Sequence, residues 1–157
     1  MMKRVLALGL AVAIGSVGTA SGQTTPLDGH PDHMQHRFDP AEDAKRFDDP
    51  ARDAWQMPDR VIQALGARDG MSVADIGAGT GYFSVRLAKV GTSVKVYAAD
   101  IEPAMVDHLR KRAADEHLPN IMPVLASEMS PNLPAPVDLI VVVNTYHHIG
   151  RRAEYFR

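Results

Sequence analysis

The stretch VADIGAGTGYFSVRLA, residues 73–88, restricts the fold of this chain more than any other part of it. An apolar run ends at Asp75-Ile76, glycines follow at 77, 79 and 81, and a helix-patterned segment begins at about Gly81 or Tyr82. Glycines let the backbone take positive φ and approach a ligand with no Cβ between them. A strand, turn and helix in this order therefore place a ligand on the turn itself. A pyrophosphate-binding turn of the G-x-G-x-x-G type needs glycine at position 82. Tyr82 stands there instead, and the G-x-G-x-G spacing argues against a dinucleotide cradle.

The flanking pattern predicts helices over residues 41–47 and 50–65, 82–90 and 104–116, and strands over 72–76, 93–99, 121–125 and 137–143. Strands alternating with helices imply a parallel sheet with crossover helices. The run VDLIVVV lacks in/out alternation, which predicts a strand covered on both faces. A length of 157 residues, with 45% hydrophobic and 23% charged, suits one globular domain. Lys plus Arg number 17 against 19 for Asp plus Glu, a net charge of -2 that disfavours a nucleic-acid partner held by a broad basic field. With no cysteine there is no disulfide framework, thiolate nucleophile or iron–sulfur cluster, and chemistry falls to Asp, Glu, His, Tyr and the backbone.

In KVYAADIEPAM, Asp100 ends the next strand 21 residues after Gly79. A carboxylate at such a strand tip accepts hydrogen bonds from ribose hydroxyls. Alone, Asp100 reads equally well as a cap for a helix near Pro103, and the glycines as a plain tight turn. Together, in this order, they favour a nucleoside site.

With DIGAGTGYFS followed by YAADIEPAMV and PVDLIVVVNTYHHI, the chain resembles the class I S-adenosylmethionine-dependent methyltransferases over roughly residues 59–149. The resemblance implies a Rossmann-like, doubly wound α/β sheet, here with about four parallel strands in the order 3-2-1-4, and S-adenosyl-L-methionine as cofactor. It implies that Asp75 and the loop residues Gly77, Ala78, Gly79 and Gly81 hold the methionine part. Asp100 would bind the ribose, Ile101 would pack on the adenine, and Asn144 would line the pocket beside the sulfonium. Glu128, in Ala126-Ser127-Glu128, stands where many members carry an acidic residue for the adenine amino group.

Displacement of a methyl group from a sulfonium needs alignment and exclusion of water more than an enzyme nucleophile. A hydroxyl or phenol acceptor also needs a base, and Tyr146, His147 and His148 are the candidates just past the fourth strand. Packing or capping at a strand-to-helix turn is the favoured reading of the two histidines. Trp55 and Gln56, in the preceding helix, either close over the cofactor or pack that helix onto the sheet. The competing functions are a noncatalytic exported nucleoside-binding module and a nicotinamide-dependent oxidoreductase, the latter disfavoured by Tyr82.

Residues 1–22 carry Lys3 and Arg4, an apolar run over 5–15 and small residues up to Gly22, the order of parts of a secretory signal peptide. Cleavage is expected before Gln23, with a periplasmic or secreted product and no stable membrane anchor. Residues 23–40, rich in Pro, Asp and His, are expected to be a flexible linker. His30, His33 and His36 alternate there with acidic residues, but Pro31 and the lack of an apolar scaffold favour a solvated arm, and no metal centre is assigned. Residues 41–157 form the expected domain, incomplete at its C-terminal end because the full family sheet has three more strands. The fourth strand would then offer an apolar edge through which the chain self-associates.

Overall fold

The structure, a computed structural model, describes Arg4, Val5 and residues 39–157. The other residues of the expected leader, and the arm with His30, His33 and His36, lie outside the described residues. The described chain runs β1 (Arg4–Val5), α1 (Pro40–Phe47), α2 (Arg52–Gln56), α3 (Pro58–Leu65), β2 (Ser72–Ile76), α4 (Tyr82–Ala88), β3 (Lys95–Asp100), α5 (Pro103–Asp115), β4 (Ile121–Leu125), β5 (Leu139–Val142) and α6 (Arg152–Tyr155), with a 3-10 turn over Tyr146–His148.

The sheet is parallel, in the order β4-β3-β2-β5-β1. The four expected strands are β2 to β5, and they stand in the expected 3-2-1-4 order. Ile76 pairs with Ala99 on one side and Val142 on the other, so the C-terminal ends of β2, β3 and β5 lie level. The chain leaves β2 toward β3 and β4, then returns to the opposite side of β2 as β5. Open α/β sheets bind ligands beyond the strand ends at such a reversal. Pro123, which has no N–H for a ladder, is placed in β4 at the sheet's edge, where proline is tolerated.

Both faces of the sheet are covered, as the unbroken apolar runs require. Val73, Val96, Ala98, Leu139 and Val141 face α3, α4 and α5, where they meet Ile62, Phe83, Leu87 and Leu109. Ala74, Ile76, Tyr97, Ala99 and Val142 form the opposite layer with Ile149 and Tyr155. Burying a leucine- or valine-sized side chain stabilises by roughly 1.5–3 kcal/mol.

The structure corrects three expectations. The helix expected over residues 50–65 is two helices broken at Met57, whose φ is 45°. The cause is Pro58, whose ring disfavours the helical conformation in the residue before it. The strand expected over 137–143 is shorter, Leu139–Val142, because Asp138 turns its carboxylate to the backbone N–H and hydroxyl of Ser72 at 2.8 and 3.0 Å. Finally, the edge of β5 is not open along its whole length. β1 pairs with it in parallel, Arg4 opposite Leu139 and Val5 opposite Ile140.

Candidate functional site

The glycine loop lies across the ends of β2 and β3 and is held there by its own amides. Gly77 and Ala78 both donate to the Ala99 carbonyl, at 2.8 and 3.1 Å, and Gly81 donates to the Ala78 carbonyl at 2.9 Å. Gly79 donates to Oδ2 of Asp100 at 2.8 Å, while Oδ1 of the same carboxylate accepts the Glu102 amide at 3.0 Å. A phosphate cradle needs such amides pointing at the ligand. Here they are satisfied within the protein, which agrees with the missing sixth-position glycine.

Gly77 has φ 71°, and a Cβ on it would stand 2.6 Å from Cβ of Thr145. The loop and the segment after β5 therefore approach each other more closely than any side chain at position 77 allows. Gly81 caps the start of α4, on whose inner face Ser84 donates to Oδ2 of Asp75 at 2.7 Å. Asp75 is buried, and burial raises its pKa to about 6, with the Asp100 charge adding to the rise and Ser84 and Arg52 opposing it. Burial also raises the pKa of Asp100, against the pull of the amides of Glu102, Gly79 and Ile101.

Asp100 thus does not cap the following helix in the expected way: the helix's N-cap is Glu102, and Asp100 joins the loop to the turn ahead of it. The two carboxylate oxygens offer four lone pairs between them and the amides of Gly79, Glu102 and Ile101 draw on three at most, which leaves acceptor capacity. Ile101, next to it, is 49% exposed although it is aliphatic. Glu128 is exposed on the loop after β4, in a turn closed by the Ser127 amide on the Ser130 carbonyl at 2.8 Å. Asn144 follows β5 with φ 57° and is exposed at the strand tip.

Tyr146, His147 and His148 are gathered in the 3-10 turn after Asn144, and all three are exposed. The two imidazole rings lie 3.9 Å apart. The Tyr146 ring stacks on Phe156 and lies beneath the Arg152 guanidinium. Trp55 is 63% exposed, so it does not pack α2 onto the sheet. Ile149 and Tyr155 provide the apolar anchoring of this segment.

A polar cover over the loop went unread in the sequence. Phe47, at the end of α1, would be 3.6 Å from a Cβ on Gly79. Arg112 of α5 donates to both oxygens of Asp48 at 3.0 Å and to the Thr80 carbonyl at 2.8 Å, fastening the chain after α1 to the loop. The Tyr82 ring lies between the Arg52 and Arg86 guanidinium groups, 3.9 and 4.0 Å from its centroid, and its hydroxyl donates to Asp53. Burial and that bond push the Tyr82 hydroxyl up to about 12. Three buried side-chain atoms in this region have no hydrogen-bond partner: Nε of Arg52, Oε1 of Gln56 and Oγ1 of Thr80. Only the Arg52/Gln56 spacing of four, one face of one helical turn, was available as a signal.

Comparison with known proteins agrees with this geometry. Residues 73–157 match the family model described as "Methyltransferase domain". The chain is 28% identical over 114 residues to malonyl-[acyl-carrier protein] O-methyltransferase 1 of Ilyobacter polytropus, a match covering 72% of this chain and 42% of that protein. Among solved structures, a SAM-dependent methyltransferase from Aquifex aeolicus superposes with a TM-score of 0.65 at 32% identity, over 73% of this chain and 61% of that one. A protein titled as a putative S-adenosyl-L-methionine-dependent methyltransferase from Methanococcus maripaludis gives a TM-score of 0.59 at 28% identity, over 74% and 52%. The chain thus spans less than two thirds of the length of each of these relatives. The matched residues, the strand order and the glycine loop joined to Asp100 establish that this chain belongs to the class I S-adenosylmethionine-dependent methyltransferase family.

Proposed function

We propose that the chain binds S-adenosyl-L-methionine across the ends of β2, β3 and β5 and transfers its methyl group to an acceptor presented beside the turn Tyr146–His148. The observation that carries this reading is the commitment of the loop amides. Gly77, Ala78, Gly79 and Gly81 hold Ala99, Asp100 and Ala78, so the loop offers a smooth glycine surface but no phosphate cradle. That suits a nucleoside joined to an amino acid and not a dinucleotide. The bound cofactor supplies a methyl group on a positively charged sulfur. Asp100 accepts hydrogen bonds from the ribose hydroxyls, Ile101 covers one face of the adenine, and Glu128 accepts a hydrogen bond from its amino group. Asp75 and the loop face the amino-acid end, and Asn144 borders the sulfur.

Direct displacement leaves the protein two tasks: holding the acceptor in line with the methyl group and keeping water away. Tyr146, His147 and His148 are the candidates to orient an acceptor hydroxyl and take its proton. Calorimetric titration with S-adenosylhomocysteine and with NAD tests the reading. Selective binding of S-adenosylhomocysteine supports it; equal or tighter binding of NAD refutes it.

We further infer that the chain is exported, on the order of Lys3-Arg4, the apolar run over residues 5–15 and the small residues before Gln23. Cleavage before Gln23 would remove β1 from β5 and leave Leu139 and Ile140 on an unpaired edge, the surface through which the mature chain would self-associate.

A further inference from the structure

The segment after β5 borders the site at both of its ends. Thr145 stands against the glycine loop, its Cβ 2.6 Å from where a Cβ on Gly77 would lie. Tyr155 is buried, and the Asp100 charge adds to the rise that burial gives its hydroxyl pKa, so α6 lies near the tip of β3. The turn Tyr146–His148 and Arg152 fall between these two anchors.

Arg152 is exposed, yet its guanidinium is held in one orientation. Its Nε donates to the Tyr146 carbonyl at 3.1 Å, and its guanidinium carbon lies 4.7 Å from the centroid of the Tyr146 ring. Its terminal nitrogens have no hydrogen-bond or ion-pair partner among the described residues, and the Tyr146 hydroxyl has none there either. Glu154, the one carboxylate in residues 146–157, pairs with Arg151 at 3.7 Å instead. Charge is sorted across the site as well. Residues 146–157 hold Arg151, Arg152 and Arg157 against Glu154 alone, in a chain whose net charge is -2, while the residues proposed for the cofactor include Asp75, Asp100 and Glu128. Cations bordering a site whose cofactor carries a positive sulfur are unfavourable until an anion joins them.

We propose that the methyl acceptor is an anion, and that a carboxylate or phosphoryl group on it, separate from the atom to be methylated, is received by the terminal nitrogens of Arg152 with the Tyr146 hydroxyl as a further donor. This inference rests on the methyltransferase reading above and deepens it, naming a substrate class and the residue that selects it. An oriented guanidinium matches two oxygens of one anion, which an ammonium on a flexible stem does not. Arg151, engaged with Glu154, takes no part.

The test is calorimetry on the full chain, first with S-adenosylhomocysteine and then, with that ligand saturating, with three phenols: 4-hydroxybenzoate, 4-hydroxyphenyl phosphate and the neutral 4-hydroxybenzamide. The unaltered chain is expected to favour at least one anionic phenol over the amide by about 10- to 100-fold. Tighter binding of the phosphate assigns a phosphoryl group, and tighter binding of the benzoate a carboxylate. Arg152→Gln is expected to abolish the preference while leaving the amide within about twofold, and Arg151→Gln to keep it. Because Arg152 also holds the Tyr146 carbonyl and ring, Arg152→Lys is the companion variant, expected to retain part of the preference. A merely structural role would weaken anionic and neutral phenols alike, so an equal loss of both in the two Arg152 variants overturns the proposal. An unaltered chain with no preference for an anion, or a preference unchanged in Arg152→Gln, overturns it too. Failure to bind S-adenosylhomocysteine at the first step refutes the cofactor reading, and this inference with it.

Discussion

Oδ2 of Asp100 accepts the Gly79 amide at 2.8 Å, so the tip of β3 and the turn after β2 form one unit before any ligand arrives. The carboxylate proposed to read the ribose also fixes the loop proposed to carry the rest of the ligand. Asp100→Ala removes both functions. It leaves the Gly79 and Glu102 amides without their acceptor, at a cost to stability of about 1–3 kcal/mol per buried donor. It also weakens S-adenosylhomocysteine binding by about 1.5–3 kcal/mol for each ribose bond lost. Denaturant titration and calorimetry on the variant check the two effects. A stability loss with unchanged affinity would show that Asp100 serves only the loop.

Gly66 and Gly77 separate backbone conformation from close approach. Their φ values are 68° and 71°, but a Cβ on Gly66 meets nothing within 4 Å while one on Gly77 stands 2.6 Å from Cβ of Thr145. Gly66→Ala is expected to cost about 1–2 kcal/mol for the left-handed conformation alone. Gly77→Ala is expected to cost about 1–3 kcal/mol more, the added price of overpacking. Equal costs in denaturant unfolding would mean that the segment after β5 moves away freely.

Asp75 makes stability depend on pH in a direction opposite to that of a surface carboxylate. Its pKa in the fold is about 6 against an ordinary 3.8. Between these values the folded chain holds a proton that the unfolded chain has released, so stability falls as pH rises through the window from 4 to 6 and levels off above it. The full effect is about 3 kcal/mol. Asp75→Asn, neutral throughout, loses this slope. The stability difference between variant and unaltered chain should therefore grow from pH 4 to 6 and stay constant above; a difference independent of pH would show that Asp75 is ionised across the range.

The alternation of strands and helices, the loop and the acidic strand tip were legible because each depends on local chemistry, whereas the strand order came only with the family resemblance. Glycine spacing, strand runs and a carboxylate at position 100 are sequence features, and the parallel register follows from their alternation. The break at Met57 was legible too, through Pro58, but the apolar stripe of Val61, Ile62 and Leu65 suggested one continuous helix. The partners of Arg52, Arg112 and Thr145 were not legible. Arg112 meets Asp48 and Thr80 across 64 and 32 residues of chain, and no local pattern encodes such a meeting. The exposed positions of His147 and His148 likewise follow from how α6 and Ile149 anchor the turn, which their own neighbours in sequence do not reveal.

Export and edge pairing make a joint prediction. Expressed in a Gram-negative host, the chain should be recovered outside the cytoplasm with Gln23 at or near its N-terminus; intact Met1 on cytoplasmic protein contradicts this. The chain beginning at Gln23 lacks β1 and should form a dimer or larger species by light scattering, with hydrogen exchange at residues 139–142 slowed by association. A monomer with slow exchange along β5 contradicts the edge account.

The loop at residues 77–81, joined to Asp100, is proposed as a nucleoside–amino-acid site. A crystal structure of the chain with S-adenosylhomocysteine tests it most directly. Both ribose hydroxyls are expected within hydrogen-bond distance of the Asp100 carboxylate, the adenine on Ile101, and the amino-acid end over Gly77 and Gly79. A ligand bound elsewhere, or one whose ribose points away from Asp100, contradicts it.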